Sequence, residues 1–160
     1  MAARNKLVVR NPNAIRDMQR RIGAHAVAVG VHSDAGAHKD EQGNATGTTV
    51  AEIYWWNEFG TSRIPERPTL RPTFAKEKVK YIQILGKITA RVMNEENYNL
   101  QQAMGRLGEV AQQDVQQAIV QLKSPPNAQS TIDKKKSDNP LIDTGQLVSS
   151  IRWAYVKPEE

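Results

Sequence analysis

Residues 49–74 read TVAEIYWWNEFGTSRIPERPTLRPTF, and they hold two of the three tryptophans and both phenylalanines of the chain. Thr49, followed three residues later by Glu52 within an apolar run, matches a capping box, so we predict that a helix begins after Thr49. Gly60 is the predicted end of this helix, because glycine adopts a left-handed conformation at little cost. The result is a helix of about three turns.

Apolar residues lie on two sides of this predicted helix. They are Val50, Ile53 and Trp56 on one side, and Ala51, Trp55 and Phe59 on the other. A helix that is apolar around most of its circumference needs to be covered on more than one side. Two alternatives stay open: a core helix covered twice within one chain, or a helix that meets the core on one side and a second subunit on the other.

Three prolines prevent the chain from continuing as helix after Gly60. Pro65, Pro68 and Pro72 each remove a backbone donor and bias the preceding residue toward extended conformations. We therefore predict a stiff, extended loop over residues 61–71. Its arginines can grip the carboxylates or phosphates of a partner or can remain solvated, and they are Arg63, Arg67 and Arg71.

The composition is that of a globular protein. The chain has 160 residues, of which 39% are hydrophobic and 24% charged, so we predict a single domain over residues 1–160 with a real core. No apolar run approaches the roughly 20 residues that span a bilayer, and we expect no membrane contact. The N-terminal sequence lacks the apolar core of a signal peptide, which favours a cytoplasmic origin.

Charge and cysteine content narrow the chemistry. The chain has no cysteine, which excludes disulfides, thiolate metal sites and cysteine nucleophiles. Its net charge of +5 permits contact with nucleic acid but does not demonstrate it.

A short amphipathic helix and a strand come first in the chain. Asn11 followed by Pro12 predicts the start of the helix, which ends near Gly23. Valines then alternate with small residues over residues 27–31, which predicts a strand. The small residues make its second face flat, so that face can lie close against another backbone.

Two polar stretches lack any apolar periodicity. We interpret residues 33–47 as a mobile loop, as a β-hairpin with a disordered tip or as a segment that becomes ordered only on assembly. We interpret residues 123–139 as a linker or exposed loop. The second stretch contains Lys134, Lys135 and Lys136, which can contact DNA phosphates or simply be solvated.

Two long helices are predicted over residues 72–93 and 100–122, and the short connection between them makes them antiparallel neighbours. The core stripe of the first helix is Phe74, Tyr81, Leu85, Ile88 and Val92. Gly105 and Gly108 lower the helix propensity of the second helix, so we expect a close backbone approach there.

The C-terminal stretch returns to regular structure. Asp143 or Thr144 can cap a short helical turn that carries Leu147 and Val148. Ile151, Trp153 and Tyr155 then alternate with other residues as a strand, which we expect to pair with the valine strand of this chain or of a neighbour. The whole pattern predicts an α+β fold, in which a small antiparallel sheet packs with two long antiparallel helices and shorter helices.

Candidates for catalysis are few. His25, His32 and His38 gather near one strand, but no third ligand or carboxylate accompanies them at metal-binding spacing, and we predict no metal, cofactor or catalytic residue. Glu58 lies near the C-terminal end of its helix, where the helix dipole disfavours an acid, so we expect it to pair with a nearby arginine.

Two segments resemble a known family. NEFGTSRIPERPTLRPTF, residues 57–74, looks like the FGT and IPxRPFLRP signature of tailed-bacteriophage neck, head-tail joining and tail-completion proteins. PLIDTGQLVSSI, residues 140–151, resembles the LxDTGxLxxSI element of the same proteins. Two details differ from the usual pattern: Thr69 stands where the family usually has an aromatic residue, and here the second element follows the first.

The resemblance implies a ring-forming subunit, most often hexameric, at the junction between the phage head and tail. Its partners would be other copies of itself, a portal-connector or head-completion protein, a tail terminator or tail tube protein, and duplex DNA that passes through the lumen without sequence-specific binding. The expected location is the virion, after assembly in the host bacterial cytoplasm. The residues assigned to subunit or partner interfaces are Trp55, Trp56, Phe59, Arg63, Ile64, Pro65, Arg67, Pro68, Leu70 and Arg71, and Lys134, Lys135 and Lys136 are candidate contacts to DNA in the lumen.

Two rival functions remain. The first is a small basic nucleic-acid-binding protein that uses the arginines and residues 134–136, and it predicts salt-dependent binding of free duplex DNA. The second is a hydrolase or toxin-like enzyme that uses a histidine near the valine strand.

Overall fold

The computed structural model describes residues 13–23, 25–40, 42–135, 139–142 and 145–156. It is a mixed α+β fold with two small antiparallel sheets, which confirms the predicted fold class. The helices are α1 (Ala14–Ile22), α2 (Val50–Phe59), α3 (Leu70–Asn94), α4 (Leu100–Gln121), α5 (Gln129–Lys135) and α6 (Gln146–Ser150), and the strands are β1 (Ala26–Val31), β2 (Ala37–Lys39), β3 (Ala45–Thr49) and β4 (Ile151–Val156).

The first sheet joins the valine strand to the last strand of the chain. β1 and β4 run antiparallel, with Val29 opposite Trp153 and Val31 opposite Ile151. The predicted pairing of these two strands is therefore confirmed within one chain. Both strands pack on α4, and Ile151 is fully buried at the junction with α6.

The glycines of α4 allow the sheet to approach the helix closely. A Cβ atom at Gly105 would lie 2.9 Å from the indole of Trp153, and one at Gly108 would lie 2.8 Å from that indole and from Val27. The expected close approach is present, but the group that approaches is a side-chain ring and not another backbone. An aromatic ring can lie this close only where the helix has no Cβ.

α3 buries less of its predicted stripe than the sequence indicates. Tyr81, Ile88 and Val92 are buried as predicted, whereas Phe74 is 36% exposed and Leu85 is 38% exposed. The prediction was wrong for these two residues because β1 and β4 pack chiefly on α4 and leave part of α3 uncovered.

Both polar stretches contain regular secondary structure. Within residues 33–47, a 3-10 turn at Ser33–Ala35 leads into the hairpin of β2 and β3, which corresponds to the hairpin alternative. The stretch 123–139 contains α5, which the linker interpretation missed.

The predicted ends of the other elements are mostly close to the observed ones. α1 ends before Gly23 as predicted, whereas the expected start at Asn11 and Pro12 lies outside the described residues. α6 carries Leu147 and Val148, and its proposed caps, residues 143 and 144, also lie outside them.

Two clusters of buried side chains form the core. One joins α2, α4, α6 and β4 around Val50, Val115 and Ile119, and the other joins α3 and α4 around Tyr81, Met104 and Leu107. Among the described residues, no helix is long and apolar enough to cross a bilayer.

Candidate assembly surface at the α2–α3 corner

A capping box begins α2, as the sequence predicts. The backbone N–H of Glu52 donates to Thr49 Oγ1 at 3.1 Å, and the backbone N–H of Thr49 donates to Glu52 Oε2 at 2.8 Å. These reciprocal bonds satisfy two donors that the helix itself leaves unpaired. The direction in which α2 leaves the hairpin is thereby fixed.

The two sides of α2 have different environments. Val50, Tyr54 and Glu58 are 1%, 6% and 2% exposed and face the interior. Trp55 is 62% exposed and Phe59 is 41% exposed. The side that carries Trp55 and Phe59 is therefore the one that the rest of the described chain leaves open.

Glu58 connects the end of α2 to the start of α3. Its buried carboxylate accepts the backbone N–H groups of Thr69 at 2.7 Å, Leu70 at 3.0 Å and Arg71 at 2.9 Å. The guanidinium of Arg71 also contacts it, with Nε 3.3 Å from Oε1. The expected arginine partner is present, and the carboxylate in addition caps α3, where the helix dipole favours a negative charge.

The turn after α2 is held by local hydrogen bonds. Gly60 has a φ of 71°, and a Cβ atom there would lie 2.9 Å from the side chain of Glu66. The hydroxyl of Thr61 accepts the N–H groups of Arg63 at 3.2 Å and Ile64 at 2.9 Å. The FGT segment therefore forms a fixed turn that requires glycine at residue 60.

Arg67 is a structural residue and not an exposed one. It is 6% exposed, its Nε donates to the carbonyl of Pro125 at 2.9 Å, and its Nη2 donates to the carbonyl of Pro126 at 2.9 Å. Its backbone N–H donates to the carbonyl of Asn57 at 2.6 Å. Burial lowers the pKa of this guanidinium. Arg67 was expected to bind a partner, but it instead connects the corner to Pro125 and Pro126, which follow α4.

A second internal contact involves a residue that sequence reasoning passed over. The hydroxyls of Tyr54 and Thr69 lie 2.9 Å apart, and both side chains are buried. Thr69 therefore joins the start of α3 to an aromatic residue of α2. The sequence signal was its departure from the motif that the segment resembles, a threonine where an aromatic residue is usual.

The exposed aromatic rings form a compact surface, which we call the aromatic surface (Trp55, Phe59 and Arg71). The ring centroids of Trp55 and Phe59 are 4.2 Å apart, and the Arg71 guanidinium lies 4.6 Å from the Phe59 centroid. Beside them is an apolar groove of about 300 Å³, which we call the α2 groove. It is lined by Gly30, Val31, Ala51, Tyr54, Trp55, Glu58, Phe59 and Leu70.

The other predicted interface residues are distributed around the corner. Arg63 and Pro65 are exposed, whereas Trp56, Ile64, Pro68 and Leu70 are half-buried. Ile64 lines a different apolar cavity of about 280 Å³, between α2 and α6. The corner thus brings the aromatic residues and Arg71 together, and it does not bring all ten predicted residues to one surface.

The lysines that were predicted to contact DNA lie at the end of α5 or directly after it in the sequence. Lys134 and Lys135 lie in the last turn of α5, and Lys136 lies outside the described residues. Their role remains a prediction.

Each of the three histidines contacts a different residue. His25 Nδ1 contacts the hydroxyl of Tyr155, His32 Nε2 lies 3.1 Å from the carbonyl of Arg152, and His38 Nδ1 lies 3.2 Å from the hydroxyl of Thr46. Among the residues that the structure describes, no group of His, Cys, Asp and Glu side chains has the arrangement of a metal site.

Comparisons of this chain with protein-family models, with curated proteins and with solved structures found no match.

Proposed function

We propose that this chain is a structural virion protein of the neck of a tailed bacteriophage. Copies of the chain form a homo-oligomeric ring, with six as the expected number, that joins the head portal-connector or head-completion protein to the tail terminator or tail tube. Duplex DNA passes through the ring without sequence-specific binding. No residue carries catalysis in this proposal, and assembly takes place in the host bacterial cytoplasm.

The observation that carries the proposal is the exposed aromatic surface. Neighbouring tryptophan and phenylalanine side chains are common anchors of protein interfaces, because each removes a large apolar area from water on contact. Trp55 is 62% exposed in the isolated chain, yet it is held by a helix whose opposite side is buried. Trp55 therefore contributes little to the stability of the monomer, whereas a partner that covers it would remove a large apolar area from water.

The rigidity of the corner supports the same proposal. Glu58, Thr61 and Arg67 fix the turn and the start of α3 through bonds inside the chain. A surface held by such a frame loses little conformational entropy when it binds. These three residues lie in the motif that resembles phage neck proteins, which is consistent with the proposed role of the corner as an interface.

The test is the mass of the native protein, combined with electron microscopy of phage particles. We expect either a ring of defined mass in solution or a monomer that forms a ring on the particle, at the junction of head and tail. A stable monomer that is absent from particles would contradict the proposal.

Binding of free duplex DNA distinguishes the proposed ring subunit from the rival hypothesis of a nucleic-acid-binding protein. A basic nucleic-acid-binding protein should bind short duplexes with an affinity that falls steeply as salt is raised. A ring subunit should bind them weakly, because a lumen that passes DNA should not retain it. Tight, salt-dependent binding by the monomer would favour the rival.

A further inference from the structure

An exposed apolar stripe follows α3 on the side away from the core. It consists of Ala75, Val79, Ile82 and Gly86, which are spaced four, three and four residues apart and are all exposed. Residues at these spacings lie on one side of a helix. Val79 is 65% exposed and Ile82 is 56% exposed. We call this stripe the outer face of α3.

The contact between α1 and α3 lies elsewhere on α3. Arg21 Nη2 of α1 donates to the carbonyl of Glu95, just beyond the end of α3, at 3.1 Å. Ile22 packs against the buried cluster that includes Tyr81. α1 therefore meets the core side and the C-terminal end of α3, and the exposed fractions of the outer face are those that remain with α1 in place.

Gly86 has no packing role within the described part of the chain. Glycine inside a helix lowers its stability relative to alanine. No atom of the described residues lies within 4 Å of the position that a Cβ of Gly86 would occupy, in contrast to Gly105 and Gly108 under the indole of α4. With Ala75 at its other end, the outer face allows the backbone of a second molecule to approach closely.

The spacing of the outer face fits a partner helix. Alternating intervals of three and four residues average 3.5, which is the period at which one helix packs along another. The branched side chains of Val79 and Ile82 lie in the middle, where they can insert between side chains of the partner. The stripe covers about 16 Å of α3, or roughly three turns of a helix lying beside it.

The charged side chains that border the outer face are all basic. With 3.6 residues per turn, Lys78 lies along one border and Lys76 and Lys87 lie along the other. Glu77, the one acidic residue within α3, lies on the opposite side and contacts Lys80 at 3.5 Å. Among the described residues, no ion pair involves Lys78 or Lys87. An acidic partner would complement this border, whereas the same face of a second copy would repel it.

The other described helices of this chain do not offer an acidic face. α1 and α5 carry more basic than acidic residues, and α6 carries no charge. In α2, Glu52 is bonded to Thr49 in the capping box, and Glu58 is buried. In α4, Asp114 is paired with Lys80 at 2.6 Å, which leaves one arginine and one glutamate. A second copy is therefore a poor match for the outer face.

The shape of the outer face also favours a helix over a membrane surface. A basic helix with an apolar side can bind anionic lipids, and such helices insert large side chains such as tryptophan, phenylalanine or leucine. The outer face instead narrows to Ala75 and Gly86 at its two ends. This shape receives a neighbouring helix and adds little to insertion into lipid.

We propose that the outer face of α3 binds an acidic amphipathic helix of a different protein. The apolar side of that helix packs on Val79 and Ile82, and its carboxylates lie against Lys78 and Lys87. The inference rests on the proposed function, because the partner is then an adjacent protein of the neck. The aromatic surface remains available for contacts between copies of the chain.

Binding of a synthetic helical peptide to the full chain tests the chemistry of the partner. The probe is a peptide of about three heptads with leucine at its apolar positions and glutamate at the flanking positions. Its control has lysine in place of glutamate. The glutamate peptide should bind at least about 10-fold more tightly, and its affinity should fall as salt is raised. Equal affinities of the two peptides would overturn the proposal.

Two charge reversals provide a matched comparison. Lys78→Glu should weaken binding of the glutamate peptide by about 10-fold or more, because it places like charges together. Lys39→Glu changes the net charge equally, but Lys39 is exposed in β2 and should have little effect. A similar loss in both variants would assign the binding to net charge and contradict a site on α3.

Gly86→Leu distinguishes a helix from a membrane. The new side chain enters open space, so urea unfolding should show an intact fold. It should weaken binding of the glutamate peptide by about 10-fold, because the two backbones can no longer lie close. Vesicles of phosphatidylserine and phosphatidylcholine should bind weakly to the wild type. Tight vesicle binding that Gly86→Leu strengthens would overturn the choice of a protein helix.

A thiol at residue 82 reports whether the outer face is accessible. The chain has no cysteine, so Ile82→Cys introduces a single thiol. In the dilute full-length monomer, this thiol should react with a maleimide about as fast as a thiol in a short peptide. Strong protection in the monomer would show that another part of the chain covers the outer face, and it would overturn the proposal.

The same variant separates this inference from the proposed function. In rings on phage particles the thiol should be protected, and cross-links from it should reach a different protein. An accessible thiol in such rings, or cross-links to another copy of the chain, would overturn the inference and leave the neck proposal intact. A chain that binds the glutamate peptide but is absent from particles would overturn the neck proposal and retain the binding site on α3.

Discussion

At the level of single residues, two glycines in α4 decide how closely the sheet can pack. Gly105 and Gly108 lie under the indole of Trp153, which fills the space that a Cβ atom would need. Gly86, in the middle of α3, has open space around the corresponding position. The same residue type thus has a packing role in one helix and none in the other.

Alanine substitution should separate these roles. Gly108→Ala should lower the free energy of unfolding by roughly 1–3 kcal/mol, because its Cβ would lie 2.8 Å from Trp153 and Val27. Gly86→Ala should raise it by roughly 0.5–1 kcal/mol, since alanine favours the helix and meets no neighbour. Urea unfolding of both variants measures the difference, and a stabilising Gly108→Ala would show that the ring is not held against the helix.

Glu58 is the second residue with a decisive local role. Glu58→Gln should destabilise the chain by roughly 1–3 kcal/mol, because an amide replaces a carboxylate that accepts three backbone N–H groups and turns one oxygen into a donor. Glu66→Gln is the control, since Glu66 is exposed and lies 3.7 Å from Arg71. Equal melting temperatures for Glu58→Gln and the wild type would contradict the capping role.

At the level of elements, α2 combines a core helix with an exposed surface. Tyr54 and Trp55 are neighbours in sequence, but the first is 6% and the second 62% exposed. Of the two arrangements that its apolar sequence allows, α2 therefore adopts the one in which a single side packs in the core. The side that carries Trp55 is exposed in the described part of the chain.

These two neighbours predict opposite phenotypes. Trp55→Ala should leave the melting temperature nearly unchanged and weaken assembly by about 2 kcal/mol or more, as expected of an interface anchor. Tyr54→Ala should instead cost roughly 3–5 kcal/mol of folding free energy, because it empties a core position. Calorimetry and native mass spectrometry measure the two effects, and unfolding of the isolated Trp55→Ala subunit would place Trp55 in the core.

Local sequence signals predicted the elements better than their contacts. The capping box at Thr49 and the glycine at residue 60 gave correct bounds for α2, because both act within a few residues. Arg67 and Phe74 were misjudged, because their burial depends on residues 125–126 and on the width of the sheet, which are far away in sequence or set by tertiary packing. α5 was missed because its polar sequence has no apolar stripe to reveal a helix.

The same contrast between local signals and tertiary contacts applies to the candidate surface. The sequence singled out the aromatic residues and the partner of Glu58, which lie in one continuous motif. It could not separate Arg67 from Arg63, since a repeated arginine gives no indication of which one is buried.

At the level of the whole molecule, buried tyrosines link stability to alkaline pH. Burial raises the pKa of Tyr54 to about 12, and burial, followed by its bond to Asp114, raises that of Tyr81. The folded chain therefore keeps these phenols protonated above the pH at which the unfolded chain ionises them, near 10.

The sign of the effect follows from this difference. The contribution of Tyr54 is complete below about pH 10 and is lost as the pH rises through about 12, with a total of about 2–3 kcal/mol. Unfolding curves near pH 8 and pH 11 should show the loss, and Tyr54→Phe should show a smaller one. An identical alkaline loss in Tyr54→Phe would assign the effect to other groups.

The glutamines of α4 that bond to β4 have a consequence for solubility. Gln112 Oε1 accepts the backbone N–H of Trp153 at 3.0 Å, and Gln116 Nε2 donates to the carbonyl of Ile151 at 3.2 Å. Unpaired backbone groups along a strand edge are a template on which a second molecule can add a strand and begin to aggregate. The two glutamines make these groups of β4 unavailable to such a strand.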